Sequence, residues 1–327
     1  MAILRSDDVE LLDLLAAAYR VRYRWCGNRV SLNFLINAKS GQCGEDCGYC
    51  SQSRVSQADI PRYSLLEAEK LLHGARLAAE HRARTYCIAT SGRSPGPGEF
   101  EVITRAAARI KKDYDLKICV SPGLLDDRQA RALKASGVDR VNHNLNTSER
   151  YYPRICSTHS YQERLATLRA IREAGMEICC GGIIGMGEEE ADVVELARRV
   201  GQLKAEAVPI NFFLPIPGTP LTELLQEGKA AQPGANGARP FFPGAGLNPR
   251  YCLKVLALFR LANPACELRI AAGREVHLGP LQPLGLYAAS SIFVGDYLTT
   301  RGQPPEDDYR MIEAMGFEVV LDGTGGS

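Results

Sequence analysis

A strand pattern runs directly into a cysteine-rich loop in the stretch SLNFLINAKSGQCGEDCGYCSQS, residues 31–53. Residues 31–37 are mostly apolar and predict a buried strand, whereas the Gly-rich and acidic residues after them predict a loop. The loop contains Cys43, Cys47 and Cys50. The stretch therefore indicates a metal-binding loop that directly follows the first strand of the fold.

The same order of strand and then helix repeats along the rest of the chain. Seven further strands are predicted, over residues 85–89, 116–121, 140–145, 177–184, 207–214, 267–271 and 291–294. Capping boxes at Ser64–Glu67 and Ser160–Glu163 predict where two of the intervening helices begin. Eight strands that alternate with helices predict an α/β fold, a (β/α)8 TIM-type barrel, for a chain of 327 residues. An open doubly wound sheet is the alternative that the same alternation allows.

The remaining segments predict one domain over residues 1–327. Residues 1–30 form an N-terminal helical extension, with an extra helix over Val9–Arg22. Residues 226–247 are rich in Gly, Ala and Pro and show no sustained period, so we expect a surface loop insertion there.

Composition narrows the class of partner. Lys plus Arg number 39 and Asp plus Glu 38, so the net charge of +1 provides no electrostatic attraction to nucleic acid or an anionic membrane. No stretch approaches the roughly 20 apolar residues of a membrane span, and the first residues do not resemble a secretory signal. We expect a cytoplasmic protein with a small-molecule substrate.

The cysteine loop has the chemistry of an iron–sulfur site. Of the eleven cysteines in the chain, Cys43, Cys47 and Cys50 lie close enough to bind three irons of one [4Fe–4S] cluster. Three protein ligands leave the fourth iron open for a small molecule. A structural zinc site is the alternative, but it normally requires a fourth ligand, and the nearest histidine, His73, lies in a predicted helix.

The loop resembles the signature of radical S-adenosylmethionine (SAM) enzymes, in which an aromatic residue, here Tyr49, precedes the last cysteine. Residues 39–53 as a whole resemble the biotin synthase family, although Gly44 stands where members usually have Pro. The resemblance spans about residues 28–318. It implies a radical SAM sulfurtransferase whose open iron binds SAM and which converts dethiobiotin to biotin.

A second metal site is implied by residues within the predicted strands. A lone buried cysteine usually packs as a small apolar residue, and a strand arginine needs a buried anion such as a thiolate or a carboxylate. The segments around these residues resemble those with which the family binds an auxiliary [2Fe–2S] cluster, the sulfur donor. By this resemblance the ligands are Cys87, Cys119, Cys179 and Arg269.

The other cysteines have no ligand role in the resemblance. Strand alternation sends Cys180 to the face opposite Cys179, so we assign Cys180 to packing. Structural or surface roles are expected for Cys26, Cys156, Cys252 and Cys266.

Polar residues at strand ends are expected to bind the small molecules. Short amides at the C-terminal end of a barrel strand can bond a ribose or a cyclic urea, although turns and helix caps favour the same residues. The resemblance assigns SAM contacts to Tyr49, Asn144, Asn146, Ile183, Phe213 and Leu214. It assigns dethiobiotin contacts to Asn144, Asn211, Thr299 and Thr300. No catalytic residue beyond the cluster ligands is implied.

The family also implies a flavodoxin- or ferredoxin-type electron donor and a homodimer. Two alternatives stay open from sequence. One is a radical SAM enzyme with another substrate, such as a hydrogenase-maturase-like protein, and the other is a zinc protein without enzymatic activity.

Overall fold

A parallel β-sheet that closes on itself forms the centre of the computed structural model, which describes residues 1–226 and 247–320. The strands of these residues are β1 (Arg29–Lys39), β2 (Thr85–Thr90), β3 (Lys117–Ser121), β4 (Arg140–Asn142), β5 (Glu177–Cys179), β6 (Gly182–Ile184), β7 (Ala207–Phe212), β8 (Glu267–Ile270), β9 (Ser291–Phe293) and β10 (Glu318–Val319).

The strands follow one another around the barrel in chain order. β5 and β6 together occupy the position between β4 and β7, and β9 pairs with β1 to close the ring. An open doubly wound sheet would leave two unpaired edges, so the predicted (β/α)8 barrel is confirmed. β10 pairs with the start of β1 at the N-terminal end of the barrel.

Most of the longer helices pack around the barrel through one apolar face, whereas α9 (Pro249–Ala262) is buried on all sides over residues 251–260. In α4, for example, Ile103, Ala106, Ala107 and Ile110 are buried at helical spacing. The helices of the described residues are α1 (Ala2–Arg5), α2 (Leu11–Cys26), α3 (Ala68–Glu80), α4 (Pro97–Asp113), α5 (Asp127–Ala135), α6 (Tyr161–Glu173), α7 (Glu190–Gln202), α8 (Pro220–Gln226), α9 (Pro249–Ala262), α10 (Arg274–His277), α11 (Gln282–Gly285) and α12 (Pro305–Ala314).

The N-terminal extension begins with α1 and α2. Arg22 of α2 is fully buried and donates hydrogen bonds to the carbonyl oxygens of Ala289 at 2.8 Å and Arg29 at 2.9 Å. These bonds join α2 to the start of β1 and to the segment before β9.

Two helix starts test the predicted capping boxes. Ser160 caps α6 as predicted, because its Oγ accepts a hydrogen bond from the Glu163 amide. The prediction for Ser64 was wrong, since α3 begins at Ala68 after an extended Glu67. Backbone hydrogen bonds from Leu66 to Ala38 and between Tyr63 and Ser40 hold this segment extended beside the end of β1.

The predicted strand over residues 177–184 is interrupted at Gly181. A Cβ atom on Gly181 would lie 1.9 Å from the Pro209 carbonyl oxygen, so only glycine permits this approach to β7. The break leaves β5 and β6 as separate short strands.

Parts of the domain prediction lie outside the described residues. These include residues 227–246 of the expected surface loop and residues 321–327. The single-domain organisation therefore stays a prediction. Within residues 1–226 and 247–320, no helix is both long enough and apolar enough to cross a bilayer.

Candidate active site

A cavity of about 410 Å3 opens at the C-terminal ends of the barrel strands and reaches into the barrel interior. Its lining includes nearly all of the residues that sequence assigned to the site. These are Cys43, Cys47, Tyr49, Cys50, Cys87, Cys119, Asn144, Asn146, Ile183, Asn211, Phe213, Leu214, Arg269, Thr299 and Thr300. Cys179 is fully buried and is not part of the lining.

Hydrogen bonds from neighbouring segments hold the cysteine loop in place. The Gly48 amide donates to the Ile155 carbonyl oxygen, and the Leu221 amide donates to that of Gly48, both at 2.9 Å. The Asp46 carboxylate accepts backbone hydrogen bonds from Ser157 at 2.9 Å and Thr158 at 3.1 Å. Burial opposes ionisation of Asp46, but the hydrogen bond from the Ser157 hydroxyl, together with these backbone bonds, holds its pKa well below the usual range. The loop is therefore preorganised.

Cys43, Cys47 and Cys50 are free thiols around the mouth of the cavity. Burial raises the pKa of Cys50 to about 11, so the unliganded thiol is neutral at pH 7. Iron binding must therefore displace protons from the loop. Three soft sulfur donors on one rigid loop fit an iron–sulfur cluster with one open iron.

A fourth cysteine lies beside the loop and was not assigned to the site from sequence. The Sγ of Cys156 is 3.6 Å from that of Cys47 and 3.3 Å from Asp46 Oδ1. Cys156 follows the short 3-10 helix Tyr152–Arg154, more than a hundred residues after Cys47. No local sequence pattern signals such a long-range contact.

Cys47 and Cys156 also lie near His159, a grouping that resembles a zinc site. Arg164 can only donate, so its contact of 2.8 Å with His159 Nε2 makes that nitrogen an acceptor. Nδ1 then carries the hydrogen and donates it to Glu45 Oε2 at 2.5 Å. Because both ring nitrogens are engaged, His159 has no lone pair to offer zinc in this arrangement.

The residues predicted to contact SAM come together across three strands. The hydroxyl oxygen of Tyr49, in the cysteine loop, accepts a hydrogen bond of 2.6 Å from the side-chain Nδ2 of Asn146. Asn146 has a left-handed backbone, with φ of 68°, and its carbonyl oxygen accepts from the Ile183 amide at 2.9 Å. The Phe213 amide donates to the carbonyl oxygen of Ile184 at 2.8 Å.

The residues predicted to contact the substrate are partly engaged by backbone groups. Asn144 Oδ1 accepts from the Gly181 amide at 3.0 Å, and Asn211 Nδ2 donates to the Gly182 carbonyl oxygen at 3.1 Å. Since a side-chain amide has two N–H donors, both asparagines keep donor capacity for a bound carbonyl group. Thr299 Oγ1 lies 2.9 Å from Ser51 Oγ, beside the cysteine loop.

Three strand cysteines meet inside the barrel. Cys87 and Cys119 are register partners on β2 and β3. With Cys179 of β5 they form a small cluster, separate from the main hydrophobic core, that contains also Ala207 and is flanked by Leu35 and Phe293. Cys180 belongs to the main core, so the predicted alternation of Cys179 and Cys180 is confirmed.

Arg269 of β8 completes this interior cluster. Its Nη1 lies 4.0 Å from Cys179 Sγ, while its Nη2 is 2.6 Å from Glu267 Oε1. The Glu267 carboxylate is thus the anion that pairs with Arg269, and the Cys179 sulfur lies on the other side of the guanidinium. The hydrogen bond with Cys119 and then burial raise the pKa of Cys179. Soft sulfur donors beside a cation fit an anionic iron–sulfur cluster.

Comparisons with known proteins agree with this geometry. A family model of the Radical SAM superfamily matches residues 39–200, and the Biotin and Thiamin Synthesis associated domain matches residues 209–318. The barrel and the cysteine loop therefore define a radical SAM enzyme.

Relatives and solved structures extend the comparison. The chain is 50% identical to a biotin synthase of Rhodopirellula baltica over 320 residues, which are 98% of this chain and 84% of that protein. It is 47% identical to the biotin synthase of Bacillus subtilis (strain 168), over 98% of this chain and 89% of the relative. The crystal structure of methylornithine synthase (PylB) has a TM-score of 0.75 at 19% identity and covers 98% of this chain and 96% of its own. The X-ray structure of the FeFe-hydrogenase maturase HydG from Carboxydothermus hydrogenoformans has a TM-score of 0.79 at 15% identity. The match covers 99% of this chain and 75% of HydG.

The chain belongs to the biotin synthase family. It is a radical SAM enzyme of sulfur insertion, and its cofactors are a [4Fe–4S] cluster, SAM and an auxiliary [2Fe–2S] cluster. The structural likeness to the hydrogenase maturase, at 15% identity, concerns the fold alone.

Proposed function

We propose that the chain converts dethiobiotin to biotin in the cavity at the C-terminal end of the barrel. The observation that carries this proposal is the stacking of two sulfur-donor sets along one cavity. Cys43, Cys47 and Cys50 lie at its mouth, Cys87, Cys119 and Arg269 line its base, and Cys179 lies buried behind them, beside Arg269.

Each set has one role in the proposal. The mouth cysteines hold the [4Fe–4S] cluster, and the strand cysteines with Arg269 hold the [2Fe–2S] cluster. When bound, the reduced [4Fe–4S] cluster and SAM supply the hydrogen-abstracting radical, and the auxiliary cluster supplies the sulfur.

The residues between the two sets position SAM and substrate. SAM is bound by Tyr49, Asn144, Asn146, Ile183, Phe213 and Leu214. The hydrogen bond between Asn146 and Tyr49 supports this assignment, because it fixes both side chains at the cavity wall. Partial burial of the wall keeps water from the reacting carbons.

Dethiobiotin is bound by Asn144, Asn211, Thr299 and Thr300. The free N–H donors of the two asparagines suit the carbonyl oxygen of a cyclic urea. The threonine hydroxyls suit a carboxylate tail, and Thr299 is fixed by Ser51. We further propose a flavodoxin- or ferredoxin-type electron donor and a homodimeric enzyme.

Product analysis tests the proposal. Anaerobically reconstituted protein is incubated with SAM, a reductant and dethiobiotin, and the products are identified by mass spectrometry. We expect both biotin and 5′-deoxyadenosine. Formation of 5′-deoxyadenosine without biotin would contradict the substrate, whereas absence of both would contradict the reaction.

A further inference from the structure

A belt of charged side chains lies at the N-terminal end of the barrel, on the side away from the cavity mouth. Four of its five members are the first residues of their strands, and the fifth lies two residues into β8. The charged belt consists of Lys117, Arg140, Glu177, Glu267 and Arg269.

The belt is a continuous network in which each carboxylate is shared by two cations. Glu177 accepts from Lys117 and Arg140, both at 2.7 Å. Glu267 accepts from Arg140 at 2.9 Å and from Arg269 at 2.6 Å. Arg140 is 2% exposed and Arg269 is 1% exposed, so these two buried cations need compensation by the partly exposed carboxylates beside them.

The belt lies directly beneath the interior cysteines. Cys119 and Cys179 each follow a belt residue by two positions, Lys117 and Glu177, which places them on the same side of their strands. Arg140 is also the register partner of Cys119 on the neighbouring strand. With Arg269 as a guanidinium cation, as its ion pair with Glu267 indicates, three cations and two carboxylates leave the belt with one excess positive charge beneath three thiols.

Glu267 also separates the interior from solvent. It lines a second cavity, of about 240 Å3, at the N-terminal end of the barrel together with Ser31 and Ser290. Its side chain is 17% exposed, whereas Arg269 above it is buried. A substitution that keeps the volume of the Glu267 side chain therefore changes the charge between this second cavity and the interior cysteines without opening a path for solvent.

We propose that Arg140 and Glu267 are positioning residues for the auxiliary cluster: Glu267 holds Arg269 against Cys179, and Arg140 supplies the excess positive charge. This inference rests on the proposed function, because it assumes a cluster on the interior cysteines. A cluster bound by thiolates is anionic and becomes more negative on reduction. The positive charge therefore stabilises its reduced form.

Two charge-removing substitutions of opposite sign test the proposal. In reconstituted holoenzyme, Arg140→Gln should shift the auxiliary-cluster reduction potential to more negative values, and Glu267→Gln should shift it to more positive values. The potential of the [4Fe–4S] cluster should stay constant in both variants. Arg109→Gln is the matched control, since Arg109 is 64% exposed on α4 and its loss should shift neither potential.

Cluster content covers the case in which a variant loses the auxiliary cluster. Iron and sulfide analysis should then show loss of that cluster alone, and Arg140→Lys or Glu267→Asp should restore it. Equal loss in the charge-conserving variants would overturn the proposal, as would unchanged potentials or shifts of the same sign. Joint loss of both clusters and of the helical circular dichroism would also overturn it, because the belt would then serve folding only. Wild-type protein with a [4Fe–4S] cluster but no auxiliary cluster would overturn the proposed function itself.

Discussion

At the scale of single residues, two cysteines that are adjacent in the sequence lie in different environments. Cys179 lies among sulfur atoms and beside Arg269, whereas Cys180 packs in the main core. A strand has a side-chain period of two, so adjacent positions face different environments. Matched pairs of cysteine variants can therefore separate ligand roles from packing roles.

The mouth cysteines provide the first such test. Cys47→Ala should abolish the [4Fe–4S] absorption and reduce SAM cleavage to background. With only two thiolates left in the loop, two of the four irons would lack a protein ligand, and the cluster would not be held. The measurement is 5′-deoxyadenosine formation with dithionite under anaerobic conditions. Cys26→Ser, at the half-buried last residue of α2, is the control and should retain activity. Wild-type rates of SAM cleavage in Cys47→Ala would contradict the cluster assignment.

The interior cysteines provide the second test. Cys119→Ala should abolish biotin formation while SAM cleavage continues, because only the proposed sulfur donor is disturbed. Cys180→Ala is the matched control, since Cys180 is equally buried but lies in the apolar core. It should keep both activities with some loss of stability. An unchanged biotin yield in Cys119→Ala would remove Cys119 from the auxiliary site.

Site residues could be predicted from the sequence only where a local pattern marks them. The motif around Cys43, Cys47 and Cys50 is contiguous, so the sequence indicated it directly. Cys156 could not be foreseen, because its contact with Cys47 depends on how a distant loop folds back. Arg140 was equally hidden, since a basic residue at a strand start usually faces solvent.

At the scale of secondary-structure elements, close backbone packing sets the shape of the cavity wall. Gly181 separates β5 from β6 and lets Asn144 reach its amide. The largely apolar run over residues 177–184 predicted one strand there, because a residue pattern does not register a clash with a neighbouring strand. The cap predicted at Ser64 failed for a similar reason, as tertiary hydrogen bonds to β1 override the local preference.

The break at Gly181 is testable by substitution. Gly181→Ala should destabilise the protein by about 1–3 kcal/mol or more, because the added Cβ meets the Pro209 carbonyl. Urea denaturation of the apoprotein measures the effect. Gly98→Ala is the control, since Gly98 lies in α4 with open space around it and should be neutral or slightly stabilising. Equal stability of the two variants would contradict the tight approach.

A buried carboxyl at the start of α7 predicts a dependence of stability on pH. Burial raises the pKa of Glu188 to about 7, although the Gly185 and Met186 amides donate to it at 2.7 Å. Since the folded-state pKa lies above the ordinary value of 4.5, the folded state binds this proton more tightly than the unfolded state. Protonated Glu188 therefore contributes stability to the folded state. This contribution to the free energy of unfolding is fully present below about pH 4.5 and is lost as the pH rises through about 7.

Glu188→Gln removes this titration. The variant should show a flatter dependence of unfolding free energy between pH 5 and 8 than the wild type, by roughly 1.4 kcal/mol for each unit of pKa shift. Denaturant unfolding of the apoprotein at several pH values measures it. Identical pH profiles in the two proteins would show that the folded state does not perturb Glu188.

At the scale of the whole molecule, the barrel brings two sulfur-donor sets from distant parts of the sequence together at one cavity. The alternation of strands and helices predicted the barrel, because each βαβ unit contributes its own local signal. The order of the two sets along the cavity follows from the barrel itself: loops after strands form the mouth, and strand interiors form the base. The contact between Arg140 and Glu267 could not be read from sequence, since it joins two strands that are far apart in the chain.

The central claim is that the cluster at the base of the cavity gives its sulfur to the substrate. The direct test uses protein whose auxiliary cluster is reconstituted with 34S-sulfide and which then turns over once with SAM and unlabelled dethiobiotin. Cys119→Ala treated in the same way, with its [4Fe–4S] cluster labelled, is the control. We predict 34S-labelled biotin from the wild type and none from the variant. Unlabelled biotin from the wild type, or labelled biotin from Cys119→Ala, would contradict the account.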